Sequence, residues 1–179
     1  MLTIFSRRLH WNRLTWPLIA GTVVASVIGS AFAAGWRINV TPSEPVGVYR
    51  MTPVTSDTAI HRGDLISFCP PVNLEPFMVP GSCPNGGAPF LKEVVGLPGD
   101  VVDVMAAGVT INGRMLPLSE PIAHPRLWPG LTLPMDFGMT KLGPGQYWTY
   151  GSGLPKYSFD SRNWGVVERA EVLAVERIS

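Results

Sequence analysis

Charge is scarce in this chain. Only 15% of its 179 residues are charged, and the formal net charge is +1. No basic block or stripe is present, so nucleic acid is not an expected partner. Cysteine is scarcer still. Cys69 and Cys83 alone fall short of the roughly four ligands a zinc site needs. The three histidines, His10, His61 and His124, are too scattered to complete one. No metal and no cofactor is expected. Long helical periodicity is absent after residue 36, and no internal repeat is visible. The length accommodates one domain plus a short membrane segment, not two full domains.

Glycine and proline are abundant, at 19 and 18 residues. They are spread without a repeat, which signals many turns rather than low complexity. The part after residue 36 is therefore expected to be mainly β, with loops.

One segment has no charge at all. Residues 16–36 read WPLIAGTVVASVIGSAFAAGW. The length suits the ~20 apolar residues of a membrane-crossing helix. Tryptophans bracket it, as at the two interfaces of a bilayer. Arg7, Arg8 and Arg13 precede it, with His10 among them. The positive-inside tendency then leaves residues 1–15 in the cytoplasm and exports residues 37–179. A cleaved signal peptide is the alternative, because Ala31-Phe32-Ala33 has a small-x-small pattern. The apolar run exceeds the ~7–15 residues of a signal-peptide core, which favours a retained anchor. Either way the main domain is exported. In an oxidising compartment Cys69 and Cys83 are expected to form a disulfide worth roughly 3 kcal/mol; two free thiols is the other reading.

Residues 65–68 read as a strand after a turn at Gly63-Asp64. Residues 69–89 form a Pro- and Gly-rich loop. Phe90 to Val95 is a strand candidate, Leu97-Pro98-Gly99-Asp100 a turn, and Val101 to Met105 another strand. Asn112-Gly113 between β-formers signals a hairpin. Residues 117–140 hold five prolines, and no regular element of any length is expected there. That stretch belongs to a flap or inserted hairpin region spanning 105–140. Residues 146–150 and 172–178 read as closing strands.

Chemistry is thinly marked. Only His61 and His124 would be exported, and neither sits in a motif, so a histidine triad is not supported. A serine can instead be activated by a lysine held neutral through burial. Lys92 fits, because strand alternation places it on one face with Phe90 and Val94, with Glu93 opposite. The pattern alone fits better an edge-strand lysine that discourages aggregation.

Three separated segments change that balance. The first is Thr41-Pro42-Ser43-Glu44-Pro45-Val46-Gly47-Val48-Tyr49-Arg50. The second is Lys92-Glu93-Val94-Val95-Gly96-Leu97-Pro98-Gly99-Asp100. The third is Ser158-Phe159-Asp160-Ser161-Arg162-Asn163-Trp164-Gly165. In this order they resemble the signal peptidase superfamily, and the Ser-x-Pro-x-Gly-x-Tyr stretch resembles its TraF-type peptidases of conjugative transfer. With the preceding anchor, the resemblance spans nearly the whole chain.

The resemblance implies a signal-peptidase-like, β-rich catalytic domain behind one N-terminal transmembrane helix. It implies Ser43 as nucleophile and Lys92 as general base. Ser43's own N–H is then one oxyanion donor, and Thr41 stands where signal peptidase I has an oxyanion-holding serine. Ser158 matches the residue that orients the lysine amine. Asp160 and Arg162 match a supporting ion pair. The Gly-Asp-Asn usual upstream of the third segment is absent; the chain reads Tyr150-Gly151-Ser152 there. Support from that side is expected to differ.

The implied activity is a serine endopeptidase of the bacterial inner membrane, single-pass, with its catalytic domain in the periplasm. Its implied substrates are exported precursors, pilin-like, with small residues before the cleaved bond. Maturation of a conjugative pilin is the expected role, by hydrolysis or by cyclisation. A general signal peptidase I and a non-catalytic component of a transfer apparatus remain alternatives. Ser43 lies seven residues past Trp36, at most about 25 Å, so the nucleophile is expected near the membrane surface. Asn39-Val40-Thr41 is a formal N-glycosylation sequon, read here as a chance match.

Overall fold

The computed structural model describes residues 15–71, 78–125 and 130–177. The chain divides into two compact units, Met1–Trp36 and Arg37–Ser179. Arg7, Arg8, His10 and Arg13, on which the expected orientation rests, lie outside the described residues.

Helix α1 (Thr15–Ala33) dominates the first unit, and none of its residues is buried. Nineteen residues at 1.5 Å each make about 28 Å, close to the thickness of a bilayer's hydrocarbon core. Two of its hydroxyls are satisfied within the helix: Thr22 donates to the Leu18 carbonyl (2.9 Å) and Ser26 to that of Thr22 (2.8 Å). An all-round apolar helix of this length fits a single-pass membrane anchor. The helix stops at Ala33, short of the Trp36 read from the uncharged run. Gly35, at φ 91°, provides the left-handed stop.

The second unit is mainly β. Strands β1 (Trp36–Asn39) and β2 (Gly47–Arg50) form a two-stranded ribbon. A six-stranded sheet is built from β3 (Thr52–Pro53), β4 (Leu65–Phe68), β5 (Phe90–Gly96), β10 (Gln146–Tyr150), β11 (Val167–Glu168) and β12 (Val172–Glu176). Its order is β11-β10-β5-β4-β12-β3. A four-stranded sheet, in order β8-β7-β6-β9, is built from β6 (Val101–Met105), β7 (Gly108–Ile111), β8 (Arg114–Met115) and β9 (Gly138–Lys141).

Strand β5 is covered on both faces. Val94 packs with Ile66, Phe68, Tyr147 and Val175, while its neighbour Val95 packs with Val102, Val104, Ile111 and Trp148. Period-2 alternation sends adjacent valines into two different cores. At Gly96 a Cβ would come within 2.7 Å of Trp148 Cβ, so only glycine lets β5 and β10 approach there.

Several expected elements stand. The Asn112-Gly113 turn has both residues at positive φ, 51° and 77°, as a type I′ hairpin requires. The Leu97–Asp100 turn closes through Asp100 N–H to the Leu97 carbonyl (3.0 Å), with Gly99 at φ 94°. Cys69 and Cys83 form a disulfide, Cα–Cα 5.5 Å. The long loop it pins includes residues 72–77, outside the described ones. One expectation fails: the proline-rich stretch 117–140 does contain regular structure. Strand β9 begins at Gly138 and pairs with β6 in the register Asp103↔Met139. The prolines end at Pro134, so from residue 138 every N–H can join a ladder. Strand β12 ends at Glu176, and Ile178 lies outside the described residues.

Candidate active site

Ser43 sits in the loop that joins β1 to β2, and it is buried. Asn39 organises that loop from within. Its Nδ2 donates to the carbonyls of Thr41 (2.9 Å), Glu44 (3.1 Å) and Pro45 (3.1 Å). Its Oδ1 accepts from the Thr41 N–H (3.1 Å) and the Thr41 hydroxyl (2.8 Å). One amide thus replaces the regular pairing that a turn rich in proline cannot make.

The loop is fastened to its surroundings by backbone. Gly153 N–H donates to the Ser43 carbonyl (3.0 Å). A Cβ at Gly153 would lie 2.8 Å from the Pro42 carbonyl oxygen, so glycine is required for this approach.

Lys92 projects from β5 into the same place. It is 4% exposed, and its Nζ lies 2.8 Å from Ser43 Oγ. Its partner across the sheet is Ile66 of β4, so the lysine is on a central strand, not an edge. Burial lowers its pKa from 10.5 to about 8. Asp160 and Glu44 oppose that fall, and Arg162 adds to it. The ammonium form donates to Ser43 Oγ, and the neutral amine can accept a hydrogen bond from that hydroxyl.

Asp160 and Arg162 make a buried ion pair at the start of helix α2 (Ser161–Trp164). Arg162 Nε donates to Asp160 Oδ1 (2.8 Å) and Nη2 to Oδ2 (2.9 Å). Asp160 also accepts from the Gly151 N–H (2.9 Å). Arg162 reaches the carbonyls of Pro155 (2.7 Å) and Ser158 (3.1 Å), and its guanidinium lies 5.0 Å over the Tyr150 ring. Bidentate geometry with every lone pair used is what allows such a pair to be buried.

The remaining expected residues are placed as follows. Thr41 is exposed, its hydroxyl 3.4 Å from Ser43 Oγ. Its proton goes to Asn39 Oδ1, so aiming it at a substrate oxygen requires rotation. Ser158 is buried, and its Oγ has no hydrogen-bond partner among the described residues. It packs over Gly151, where any Cβ would collide with it. Cys69 and Cys83 form the disulfide described above, in the loop that precedes β5.

Three contributors escaped the sequence. Asn39 was visible only as a sequon. Glu44, 1% exposed, accepts from the N–H groups of Glu93 and Ser152 (3.3 Å each) and from the Ser152 hydroxyl (3.0 Å). Asn163 donates to the carbonyls of Ile122 (3.3 Å) and Pro134 (3.2 Å), tying the proline-rich stretch to α2. An unusually long interior run of polar residues, 160–163, was the available signal for the last.

A family model described as signal peptidase, peptidase S26, matches residues 10–179. A probable conjugal transfer protein TraF of Sinorhizobium fredii is 31% identical over 183 residues, covering 98% of this chain and 93% of the relative. A plasmid transfer protein TraF of Escherichia coli is 32% identical over 179 residues, covering 93% and 97%. A probable signal peptidase I-2 of Synechocystis is 28% identical over 172 residues, covering 89% and 70%. The crystal structure of a signal peptidase I from Enterococcus faecalis aligns with TM-score 0.39 and 25% identity, over 68% of this chain and 100% of that one.

Proposed function

We propose a peptidase mechanism from one premise: the chain belongs to the signal peptidase family, peptidase S26, in its TraF-type branch. In this reading Ser43 is the nucleophile and Lys92 the general base. The observation that carries it is the buried 2.8 Å contact between Lys92 Nζ and Ser43 Oγ.

Ser43 Oγ attacks the substrate carbonyl as its proton passes to neutral Lys92. The oxyanion is held by the Ser43 N–H, with the Thr41 hydroxyl as second donor; losing such a donor typically costs about 3 kcal/mol. The C–N bond then breaks, and the Lys92 ammonium returns its proton to the leaving amine. Water, or a second amine, resolves the acyl-enzyme with Lys92 again as base. With a pKa of about 8, Lys92 is partly neutral at physiological pH. Activity is therefore expected to rise with pH through that value.

Helix α1 is read as the anchor, in the bacterial inner membrane with the catalytic unit on the periplasmic side. The substrates are then exported precursors held in the same membrane, with small residues before the cleaved bond. The names of the relatives speak of conjugal and plasmid transfer. Within that setting the substrate is read as a conjugative pilin, matured by hydrolysis or closed into a ring by an amine. The test is mass spectrometry of candidate pilin precursors with the wild type and with Lys92→Ala. Processing is expected with the first alone; equal processing by both defeats the mechanism.

A general signal peptidase is the second reading, favoured by the likeness to the Synechocystis protein. Complementation of a depleted general signal peptidase discriminates. Rescue across many precursors would support it against the dedicated role.

A further inference from the structure

Glu44 is an unusual neighbour for a nucleophile. It follows Ser43 directly, occupies a position that the Ser-x-Pro-x-Gly pattern leaves unspecified, and is 1% exposed. A carboxyl group is rarely buried so fully without a task. Its three neutral donors come from two elements, β5 at Glu93 and the 151–153 segment at Ser152. Those elements bracket the site, since Lys92 adjoins Glu93 and Gly153 holds the Ser43 carbonyl.

We propose that Glu44 is a positioning residue: its carboxylate clips the Ser43 loop to β5 and to Ser152, and its charge, together with that of Asp160, tunes the pH range in which Lys92 is a free base. The second half rests on the peptidase reading above. The clip occupies the side where the chain reads Tyr150-Gly151-Ser152 in place of the Gly-Asp-Asn of related peptidases. Here the carboxylate comes from the nucleophile loop, and the far segment supplies a hydroxyl and an N–H.

The charged groups that act on Lys92 are Glu44 from the nucleophile loop and Asp160 and Arg162 from the start of α2. Its own strand adds the Phe90 ring, 5.6 Å from Nζ. Asp160 has the largest of these charge effects and is paired with Arg162, whose opposing effect, the smallest of the three, offsets it in part. Among the described residues Glu44 accepts only from the neutral donors named above, so its field on Lys92 is not offset in that way. Burial raises the Glu44 pKa, and the Lys92 charge works against that rise. The sign follows. A negative Glu44 favours the Lys92 ammonium and raises the pH at which the amine becomes free. It also makes that amine a stronger base once free.

The test uses the full chain in detergent micelles with 13C-labelled lysine at Cε. The sequence has three lysines, Lys92, Lys141 and Lys156, so the titration is directly assignable. Glu44→Gln keeps the size and one acceptor oxygen. It is expected to lower the Lys92 midpoint from about 8 by about one pH unit, leaving Lys141 and Lys156 unmoved. The acidic limb of the processing rate should move with it, and the plateau rate should fall. A second measurement needs no substitution: the Glu44 carboxyl 13C shift in the wild type should inflect at the Lys92 midpoint. A wild-type midpoint near 8 that Glu44→Gln leaves in place, or no inflection at Glu44, overturns the inference alone. A wild-type midpoint near 10 overturns the peptidase reading and the inference with it.

Discussion

Strands β6 and β7 bury Val102, Val104, Val109 and Ile111, whereas the corner around Lys92 buries Ser43, Glu44, Ser158, Asp160, Ser161, Arg162 and Asn163. Both regions exclude water, but different forces hold them. The four-stranded sheet rests on apolar area and shape, which tolerate small changes of volume at modest cost. The corner rests on directional bonds, each of which leaves an unsatisfied group if one partner is removed. Lys92 sharpens the contrast, since its burial opposes folding. The apolar region provides stability, and the polar corner consumes some of it to hold a buried amine in place.

Four substitutions probe that contrast, in descending order of effect. On the proposed mechanism, Lys92→Met should reduce precursor processing by at least about 10⁴-fold, the scale of losing a general base. The same change should stabilise the protein by about 3 kcal/mol at pH 7. The unfolded chain binds the extra proton between pH 8 and 10.5, so wild-type stability rises with pH across that window. The advantage of Lys92→Met should accordingly vanish near pH 10.5, as read by denaturant titrations at several pH values. Unchanged stability at pH 7 would mean that burial of the amine costs nothing.

Arg162→Met comes next. It strands Asp160 in a site where that residue is 0% exposed, at a cost of about 3–5 kcal/mol in urea unfolding. Asn39→Ala should lower the processing rate by about 10²-fold, because the loop that aims Ser43 loses its organiser. A rate within twofold of wild type would show that Gly153 and Glu44 hold the loop alone. Ile111→Val, in the apolar region, should cost only about 0.5–1.5 kcal/mol and leave processing intact at a temperature where the protein is folded. A loss of activity there would erase the distinction between the two regions.

Much of the fold was legible because it is written locally. Helix α1 follows from an uncharged run, the β7–β8 hairpin from Asn112-Gly113, and β5 from its apolar alternation. The Ser43–Lys92 contact was legible only through family resemblance, since 49 residues separate the two and Lys92 alone read better as an edge residue. What stayed hidden is held by partners remote in sequence. Glu44 meets Ser152 at a separation of 108 residues, and no spacing rule reaches that far. Strands β1 and β2 were hidden for another reason: their residues are exposed or half-buried and show no apolar face. Strand β9 was masked by the prolines before it. Ser158 was expected to hold the lysine, yet its hydroxyl is unpartnered among the described residues.

The five hydrogen bonds of the Asn39 amide bear on how the protein is produced. In a eukaryotic secretory host, Asn39-Val40-Thr41 is an acceptor while the chain is still extended. A sugar added there would take one of the two amide protons that three carbonyls share. Bacterial expression keeps that side chain free to close the turn, whereas Thr41→Val would abolish the acceptor only by removing a hydroxyl that itself bonds Asn39 Oδ1.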